Sequence, residues 1–430
     1  MSEAASEAHE ASAELALAEA AARRGARDAY LFGKPPEHLP SHGDPAPRRV
    51  TPARDVTIER LDFSKRRDRA RFIDCAARFY VGEPHYIAPL RMQLEKFLDP
   101  KKNPAYENLE VQPFVAVRRG EIVGRITAHY DRAYAAYHEV KTGFFGFFEC
   151  IDDPRVAHAL FDEAMAWCKA RGAVEVFGPM NYTMSHQVGL LVQNFDRPPF
   201  VEETFNPRYY QDLVESYGFA KAKDWYAWWI ELAEGMDTEK RRRIARIAEK
   251  VKKRENVEIR HIDFSKPHEE IKKLYALYMA CWQKNWSFVP LSEREFAWLA
   301  EDMQQIALPE LIFFVEVDKK PVGFCATLPN INEVLPRDGK LFPFGWTKLL
   351  FGGLKKTTTG RLYTLGMLPE YRKRGLETLM FSLTVENAKK VGYTAGEIGL
   401  TLEDNVLINR AIEAMDGTLD RIYRIYGMKL

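Results

Sequence analysis

Cysteine is scarce in this sequence of 430 residues. No two cysteines form a CxxC motif, and none has a histidine at metal-ligand spacing, which argues against a disulfide scaffold and against a zinc site. We therefore expect no metal and a reducing compartment. The residues expected to be buried free thiols are Cys75, Cys150, Cys168, Cys281 and Cys325.

Long apolar runs are also missing. No stretch approaches the roughly 18 uninterrupted apolar residues of a membrane-spanning helix. Residues 1–30 hold twelve alanines and five glutamates, without the basic start and apolar stretch of a signal peptide, and residues 35–52 hold six prolines. We expect a disordered arm over residues 1–50 and a cytoplasmic protein, which could still lie against the inner face of the membrane.

Net charge of either sign is lacking, because 62 basic and 61 acidic residues leave a formal charge of +1. A polyanion could therefore be bound only by a local basic patch. Lys240–Arg254 is such a patch, with nine basic residues and one acidic residue, and its apolar residues recur at helical spacing. This pattern predicts an amphipathic helix whose cationic face is either solvated or in contact with anionic lipid or RNA.

The rest of the chain contains a diverged internal repeat. Phe114–Ala128 alternates as two strands around a tight turn, and Phe314–Thr327 repeats that layout with one residue fewer at the turn. Each half then continues with a strand, a helix and a second strand, which form a βαβ unit. The predicted segments are Gly143–Glu149, 155–170 and Val174–Phe177 in the first half, and Arg361–Met367, 376–390 and Glu397–Leu402 in the second.

These patterns predict an α/β fold with two tandem domains, each a mixed β-sheet flanked by helices, after the N-terminal arm. We place the first domain at 55–235 and the second at 257–430, with the basic helix in a linker at 236–256.

A phosphate-binding loop is predicted between the strand and the helix of the second half. Pro369 ends the strand, Arg372, Lys373 and Arg374 supply cations, and Gly375 lets the backbone approach a ligand closely. The amphipathic helix that follows would point free N–H groups and the positive end of its dipole at the loop. A strand, a cationic glycine loop and a helix N-terminus together indicate a pyrophosphate site.

This segment resembles the GNAT superfamily of acyl-CoA N-acyltransferases, whose loop reads Q/R-x-x-G-x-G/A. Arg372–Glu377 fits that motif except at its last position, where Glu377 replaces a small residue. The resemblance implies that the strands before and after the helix splay apart, and that pantetheine pairs with the exposed strand edge. It assigns donor binding to Leu365, Gly366, Met367, Arg372, Lys373, Arg374, Gly375, Leu376 and Asn409.

The first half departs from this motif at the corresponding position. Cys150–Pro154 contains two acids and no glycine, and acids there would repel a pyrophosphate. We therefore expect only the second domain to bind coenzyme A.

The resemblance also implies that an amine attacks the thioester directly, which requires a base for the ammonium proton and an acid for the leaving thiolate. The tyrosine that superfamily members often carry seven residues after an asparagine is absent, because Asn409 is followed at that spacing by Asp416. Each alternative candidate could equally be structural, as a helix cap, a core residue or a loop residue. The candidates are Glu403, Asp404, Tyr423 and His186.

Two features suggest a lipid substrate. Lys340–Lys356 carries aromatic and leucine residues between lysines, which suits a membrane interface or, alternatively, an aromatic insertion between the domains. In addition, segments such as GFFGFFE, GPMN, KLFPFG, LPEYRKRG and YRIYGM resemble a group of tandem GNAT-type bacterial proteins that includes the ceramide synthases.

The sequence is therefore interpreted as an acyl-CoA-dependent N-acyltransferase that joins a long-chain acyl group to the amine of a sphingoid base. An anionic membrane surface is a possible partner, and nucleic acid is not expected. The alternatives are a small-molecule acetyltransferase that uses acetyl-CoA, an enzyme that transfers amino acids from tRNA, and a non-catalytic acyl-CoA or lipid-binding module.

Overall fold

The computed structural model describes residues 50–51, 53–233, 238–340 and 353–430. All but the last residue of the predicted N-terminal arm, and most of the aromatic segment Lys340–Lys356, lie outside these ranges.

Within the described ranges the first half contributes seven strands and the second half six. Those of the first half are β1 Val56–Arg60, β2 Leu109–Arg118, β3 Glu121–Asp131, β4 Thr142–Cys150, β5 Glu175–Gly178, β6 Leu190–Gln193 and β7 Ala220–Glu231. Those of the second half are β8 Val257–His261, β9 Ile312–Val317, β10 Lys320–Pro329, β11 Thr359–Met367, β12 Ala395–Leu402 and β13 Thr418–Lys429.

Ten α-helices lie in the same ranges. They are α1 Arg66–Asp74, α2 Arg91–Leu98, α3 Arg132–His138, α4 Pro154–Ala170, α5 Tyr210–Tyr217, α6 Glu239–Arg254, α7 Pro267–Trp282, α8 Glu293–Gln304, α9 Leu376–Lys390 and α10 Val406–Ala414. None of these helices is long and apolar enough to cross a bilayer.

The fold class is confirmed: it is a mixed α/β structure with a large sheet flanked by helices. Both predicted hairpins form, as β2–β3 and β9–β10, and both βαβ units form, as β4–α4–β5 and β11–α9–β12. Both turns have two residues, Arg119 and Gly120 in the first and Asp318 and Lys319 in the second, so the expectation of a shorter second turn is wrong. All four residues have positive φ, and the repeat extends to the turn backbone.

All the strands belong to one sheet, in the order β1-β2-β3-β4-β5-β13-β7-β12-β11-β10-β9-β8, with β6 paired to β13. The last strand of the chain therefore lies between two strands of the first half. In turn β7, the last strand of the first half, pairs with β12 of the second. The two halves thus share their central strands, an exchange that the sequence pattern does not reveal.

Each helix of a βαβ unit buries an apolar face on the sheet. Leu160 and Phe161 of α4 pack against Phe145, while Leu376 and Met380 of α9 belong to the core cluster of the second half. Burying a leucine or phenylalanine side chain contributes about 1.5–3 kcal/mol, so these faces fix both helix N-termini relative to their strands. The five cysteines are buried and unpaired, as expected.

Candidate functional site

The parallel strands β11 and β12 separate part-way along their length. They pair from Thr359 with Ala395 as far as Leu362 with Ile398, and β12 then continues along β7 through Thr401 and Leu402. Among the described residues, no strand pairs with the freed edge of β11 after Leu362. The predicted splay is therefore present, and Leu365, Gly366 and Met367 lie on the strand that flanks it.

A cavity of about 350 Å³ fills this opening, and we call it the first cavity. Its walls are residues 362–365 of β11, residues 398–402 around the end of β12, and the apolar faces of α7 and α8. Large aromatic side chains line this side of the cavity, among them Trp282 of α7, Trp286 of the segment after it and Phe296 of α8. The space is therefore suited to an apolar chain that enters along the strand edge.

The predicted phosphate loop lies at the outer end of the same opening. A 3-10 turn over Pro369–Tyr371 is followed by Lys373 at φ 63° and Gly375 at φ 86°, and α9 begins at the next residue. The N-cap residue of α9 is Gly375, which has no side chain to cap the helix. Its first N–H groups are therefore available to a phosphate and are supported by the helix dipole.

Two of the three loop cations have structural partners. The Arg372 guanidinium donates to the carbonyl oxygens of Met367 at 3.0 Å and Cys281 at 2.7 Å, which fastens the loop to β11 and α7. Arg374 pairs with Glu255 after the basic helix α6, with its Nε at 2.8 Å. Lys373 is exposed and makes no ion pair with a described residue. The backbone and Lys373 thus remain as the groups most accessible to a phosphate.

Glu377, the departure from the family motif, turns back towards the loop. Its carboxylate accepts a long hydrogen bond of 3.4 Å from the Lys373 N–H. A negative side chain in the first helical turn is favourable next to the helix dipole. This bond is at the limit of hydrogen-bond distance, so a pyrophosphate could replace it at small cost.

The corresponding helix N-terminus in the first half is already capped. Asp153 accepts a hydrogen bond from the Arg155 N–H at 3.0 Å and pairs with Arg118 at 2.9 Å. Although burial opposes it, hydrogen bonding to Arg155 and Arg118 lowers the pKa of Asp153 to about 2. A fixed carboxylate therefore occupies the place of a phosphate, which supports the prediction that this half binds no coenzyme A.

Glu403, Asp404 and Asn409 hold the end of β12 in place. Glu403 pairs with Lys221 at 2.6 Å, and Asp404 pairs with Lys223 at 2.8 Å on the protein surface. The Asn409 amide donates to the Leu402 carbonyl oxygen at 3.0 Å and accepts from the Thr401 hydroxyl at 2.7 Å. The catalytic roles of the two acids and the donor-binding role of Asn409 stay predictions, and each residue has a structural role.

His186, by contrast, lies at the inner end of the first cavity. Its Nδ1 is 3.3 Å from the Thr183 N–H and 2.9 Å from the Thr183 hydroxyl. Because an N–H group can only donate, Nδ1 must accept and the ring proton resides on Nε2. Burial lowers the pKa of His186 to about 3, and its buried Nε2 has no hydrogen-bond partner among the described residues. Neutral His186 is therefore a donor suited to polarising a carbonyl.

A second cavity of about 610 Å³ meets the first one beside His186. Side chains of the first half line most of it, including Leu94, Phe97 and Phe147. Six residues line both cavities, and we call them the junction: Ser185, His186, Glu202, Leu299, Met303 and Tyr363.

Glu202 is the carboxylate of the junction. It has φ 60°, a left-handed conformation that a non-glycine residue rarely adopts and that is often held for a functional reason. Burial raises its pKa, nearby Arg361 opposes that rise, and Asp302 adds to it. Burial and the negative charge of Glu202 likewise raise the pKa of Tyr363, whose hydroxyl therefore remains protonated.

Tyr423 lies in a buried charge cluster directly behind the junction. Burial, together with the charge of Glu203, raises the pKa of its hydroxyl, which lies beside Arg421. The charged members of the cluster form ion pairs with one another. These are Arg361 with Glu397 at 3.1 Å, Arg361 with Glu203 at 3.9 Å, and Arg421 with Glu203 at 3.4 Å.

Sequence reasoning missed the junction and the cluster. Glu202 and Glu203 stand together in a proline-flanked loop, far along the chain from the second half that they contact. Arg361 and Glu397 are the single charged residues of β11 and β12, and that pattern is a signal in the sequence, whereas Arg421 is one of four charged residues in β13. A charge inside a buried strand is rare unless it has a partner, so it indicates a buried polar site.

Comparison with known proteins agrees with this geometry. The sequence model of the Acetyltransferase (GNAT) family matches residues 271–407. Among curated proteins, "Bacterial ceramide synthase" of Caulobacter vibrioides is 35% identical over 367 residues, covering 84% of this chain and 94% of that protein. "Protein YghO" of Escherichia coli is 32% identical over 374 residues, covering 86% and 94%.

Among solved structures, a tandem GNAT protein from the clavulanic acid biosynthesis pathway has a TM-score of 0.51 at 11% identity. The match covers 87% of this chain and 98% of that one. Identity at that level shows the fold alone, and the fold that it shows is the doubled one described above.

Proposed function

Because this chain belongs to the GNAT family of acyl-CoA-dependent N-acyltransferases, we propose that it joins a long-chain acyl group to the amine of a sphingoid base. The observation that carries the donor half of this proposal is the opening between β11 and β12. An apolar cavity lies in this opening, and the strand β11 that borders it leads on to the loop and the N-terminus of α9.

The donor would be held at three places along this path. The pyrophosphate would bind the N–H groups at the start of α9, beside Lys373. The pantetheine arm would pair with the free edge of β11, as an added strand does. The acyl chain would enter the first cavity among Trp282, Trp286 and Phe296. An acetyl group would leave that cavity unfilled, so the geometry favours a long chain.

The acceptor half of the proposal is supported by the curated relative named as a bacterial ceramide synthase, which matches nearly end to end. We propose the following division of the chain. Residues 257–430 bind the donor, residues 55–235 contribute the acceptor side, and 236–256 is the basic linker.

The test is a direct assay of the purified chain with palmitoyl-CoA and sphinganine, followed by mass spectrometry. The expected products are the N-palmitoyl amide and free coenzyme A, with acetyl-CoA a much poorer donor. Preference for acetyl-CoA would favour the small-molecule acetyltransferase. Tight acyl-CoA binding without turnover of any amine would favour a binding module, and either result would contradict the proposal.

We also propose that the basic helix α6 contacts an anionic membrane surface. Its buried side, with Ala248 and Val251, packs on the second half, while Arg243, Lys250 and Lys253 are exposed. Each basic residue near an anionic surface contributes about 1 kcal/mol. Sedimentation with phosphatidylglycerol vesicles should therefore fall sharply in a triple glutamine variant of these residues. Unchanged sedimentation would refute the contact.

A further inference from the structure

The second cavity has no role in donor binding, yet it reaches the same junction as the first. It is the larger of the two, and it lies in the half whose phosphate loop is replaced by a capped helix. Its apolar part includes Leu94, Phe97 and Trp298, and its polar part lies towards Glu149 and Glu202. This combination suits a molecule with an apolar chain and a cationic head.

The carboxylates on this wall differ in how they are engaged. Glu149 accepts hydrogen bonds from Tyr80 at 3.0 Å and Tyr210 at 2.8 Å, and it pairs with Arg125 at 3.3 Å. Asp302 pairs with Lys96 at 2.7 Å.

Glu203 accepts from the Phe200 N–H at 2.9 Å and pairs with Arg421. Glu202 makes no hydrogen bond or ion pair with a described residue. It is therefore the carboxylate of this wall that is free to receive a ligand.

The loop that carries Glu202 is held from the second half. Arg361 of β11 donates to the Val201 carbonyl oxygen, and Arg421 of β13 donates to the carbonyl oxygens of Arg197 and Pro198. Both arginines also reach Glu203. The buried charge cluster thus fixes the backbone on both sides of Glu202, in the left-handed conformation that turns its side chain to the junction.

We propose that the second cavity binds the amine acceptor and that Glu202 takes the proton from its ammonium group, an inference that rests on the proposed acyl transfer. The free amine nitrogen then attacks the thioester carbon, forming the C–N bond while the C–S bond breaks. A second proton passes from that nitrogen to the leaving sulfur and gives free coenzyme A, and Glu202 releases the first proton to solvent. Neutral His186 donates its Nε2–H to the carbonyl oxygen during the attack.

The charged and titratable groups around Glu202 agree with this role. Arg361 and Asp302 act on it from β11 and α8, while Tyr363 and His186 share the junction. Burial moves the pKa of this carboxylate upwards, towards the range where a base accepts a proton effectively near neutral pH.

The first test compares Glu202→Gln with the matched control Asp196→Asn, which removes an exposed carboxylate six residues earlier in the chain. With palmitoyl-CoA and sphinganine, Glu202→Gln should lower kcat by about 100-fold or more, with the Kd for palmitoyl-CoA unchanged within twofold. Its remaining rate should rise about tenfold per pH unit between pH 7 and 9, because only amine that is already deprotonated can react. The control should match the wild type.

Three results are distinguishable. If the wild type forms no amide, the proposed function fails. If the wild type is active and Glu202→Gln retains its kcat and pH profile, this inference alone is overturned. If Glu202→Gln loses palmitoyl-CoA binding in parallel with its rate, Glu202 belongs to the donor site and the inference is equally overturned.

A second pair of variants tests the cavity assignment. Leu94 lines only the second cavity, and Ala300 lines only the first. Leu94→Trp should raise the KM for sphinganine severalfold and leave the Kd for palmitoyl-CoA unchanged. Ala300→Trp should instead weaken the binding of palmitoyl-CoA. The reverse pattern, or equal effects of both substitutions on both substrates, would refute the assignment of the second cavity to the amine.

Discussion

Removal of Arg361 should destabilise the protein in a way that depends on pH. The Arg361 side chain is 3% exposed and lies 3.1 Å from Glu397 and 3.9 Å from Glu203, whose side chains are 1% and 0% exposed. Arg361→Met keeps much of the side-chain volume but leaves two buried carboxylates with Arg421 alone. Breaking a buried ion pair from one side costs about 3–5 kcal/mol, and a chain of this size unfolds with an entropy of roughly 0.8–0.9 kcal/mol/K, so we expect Tm at pH 8 to fall by about 4–6 °C.

The sign of the pH dependence follows from the carboxyl groups that lose their partner. Burial and the neighbouring Glu203 already raise the pKa of Glu397 well above its usual value, although Arg361 opposes this. Because Arg361 lowers the pKa of Glu397 in the wild type, its removal should raise the pKa of Glu397 in the folded state further. A carboxyl group whose pKa is higher in the folded state than in the unfolded state does not destabilise the protein below the unfolded-state pKa of about 4.3. Above that pH the destabilisation grows as the pH rises. The loss of stability caused by Arg361→Met should therefore be smaller at pH 5.5 than at pH 8.

Thermal unfolding followed by circular dichroism at these two pH values checks this prediction. Arg361→Met combined with Glu397→Gln should recover part of the loss at pH 8, because it removes one of the two buried charges. Arg410→Met, at an exposed arginine, should change stability by less than about 0.5 kcal/mol. Equal stability of Arg361→Met and wild type at pH 8, or the same deficit at both pH values, would refute the reasoning.

Three further variants test the donor and catalytic groups. Gly375→Ala places a new Cβ 3.0 Å from Val251 and should weaken palmitoyl-CoA binding, measured by calorimetry, about tenfold. The control Gly392→Ala incurs the same left-handed strain in open space and should leave the affinity unchanged. Equal affinities of the two variants would contradict the loop assignment. His186→Ala should lower kcat about 100-fold without moving the pH optimum, because its pKa of about 3 keeps it neutral; a shifted optimum would indicate a base instead. Asp404→Asn should change kcat less than threefold, since it breaks only the ion pair with Lys223 at the surface. A large loss of kcat would instead support Asp404 as a catalytic residue.

The local parts of this structure could be predicted from the sequence because each rests on a short-range pattern. The period of the apolar residues gives α4 and α9, and the alternating segments give both hairpins. Gly375 and the basic residues before it indicate a turn at a helix N-terminus, and the structure has Gly375 as the N-cap residue of α9.

The junction could not be predicted in the same way. Its members come from residues 185–202 and 299–363, two distant parts of the chain that the shared sheet brings together, and no local periodicity records that contact. His186 was a candidate only as a lone loop histidine. Its orientation, and therefore its role as a donor rather than a base, depends on the Thr183 backbone N–H.

The strand exchange also links the repeat that lacks a phosphate loop to the second half. If each half closed its own sheet, Arg421 would lie in the second half alone and could not reach the loop that carries Glu202. Because β13 instead lies between β5 and β7, Arg421 meets Glu203 inside the first half, and Arg361 reaches the same loop from β11. The strand β11 and the loop that carries Glu202 are thereby joined through one buried charge cluster. A change in either half should therefore alter the junction where the two substrates would meet.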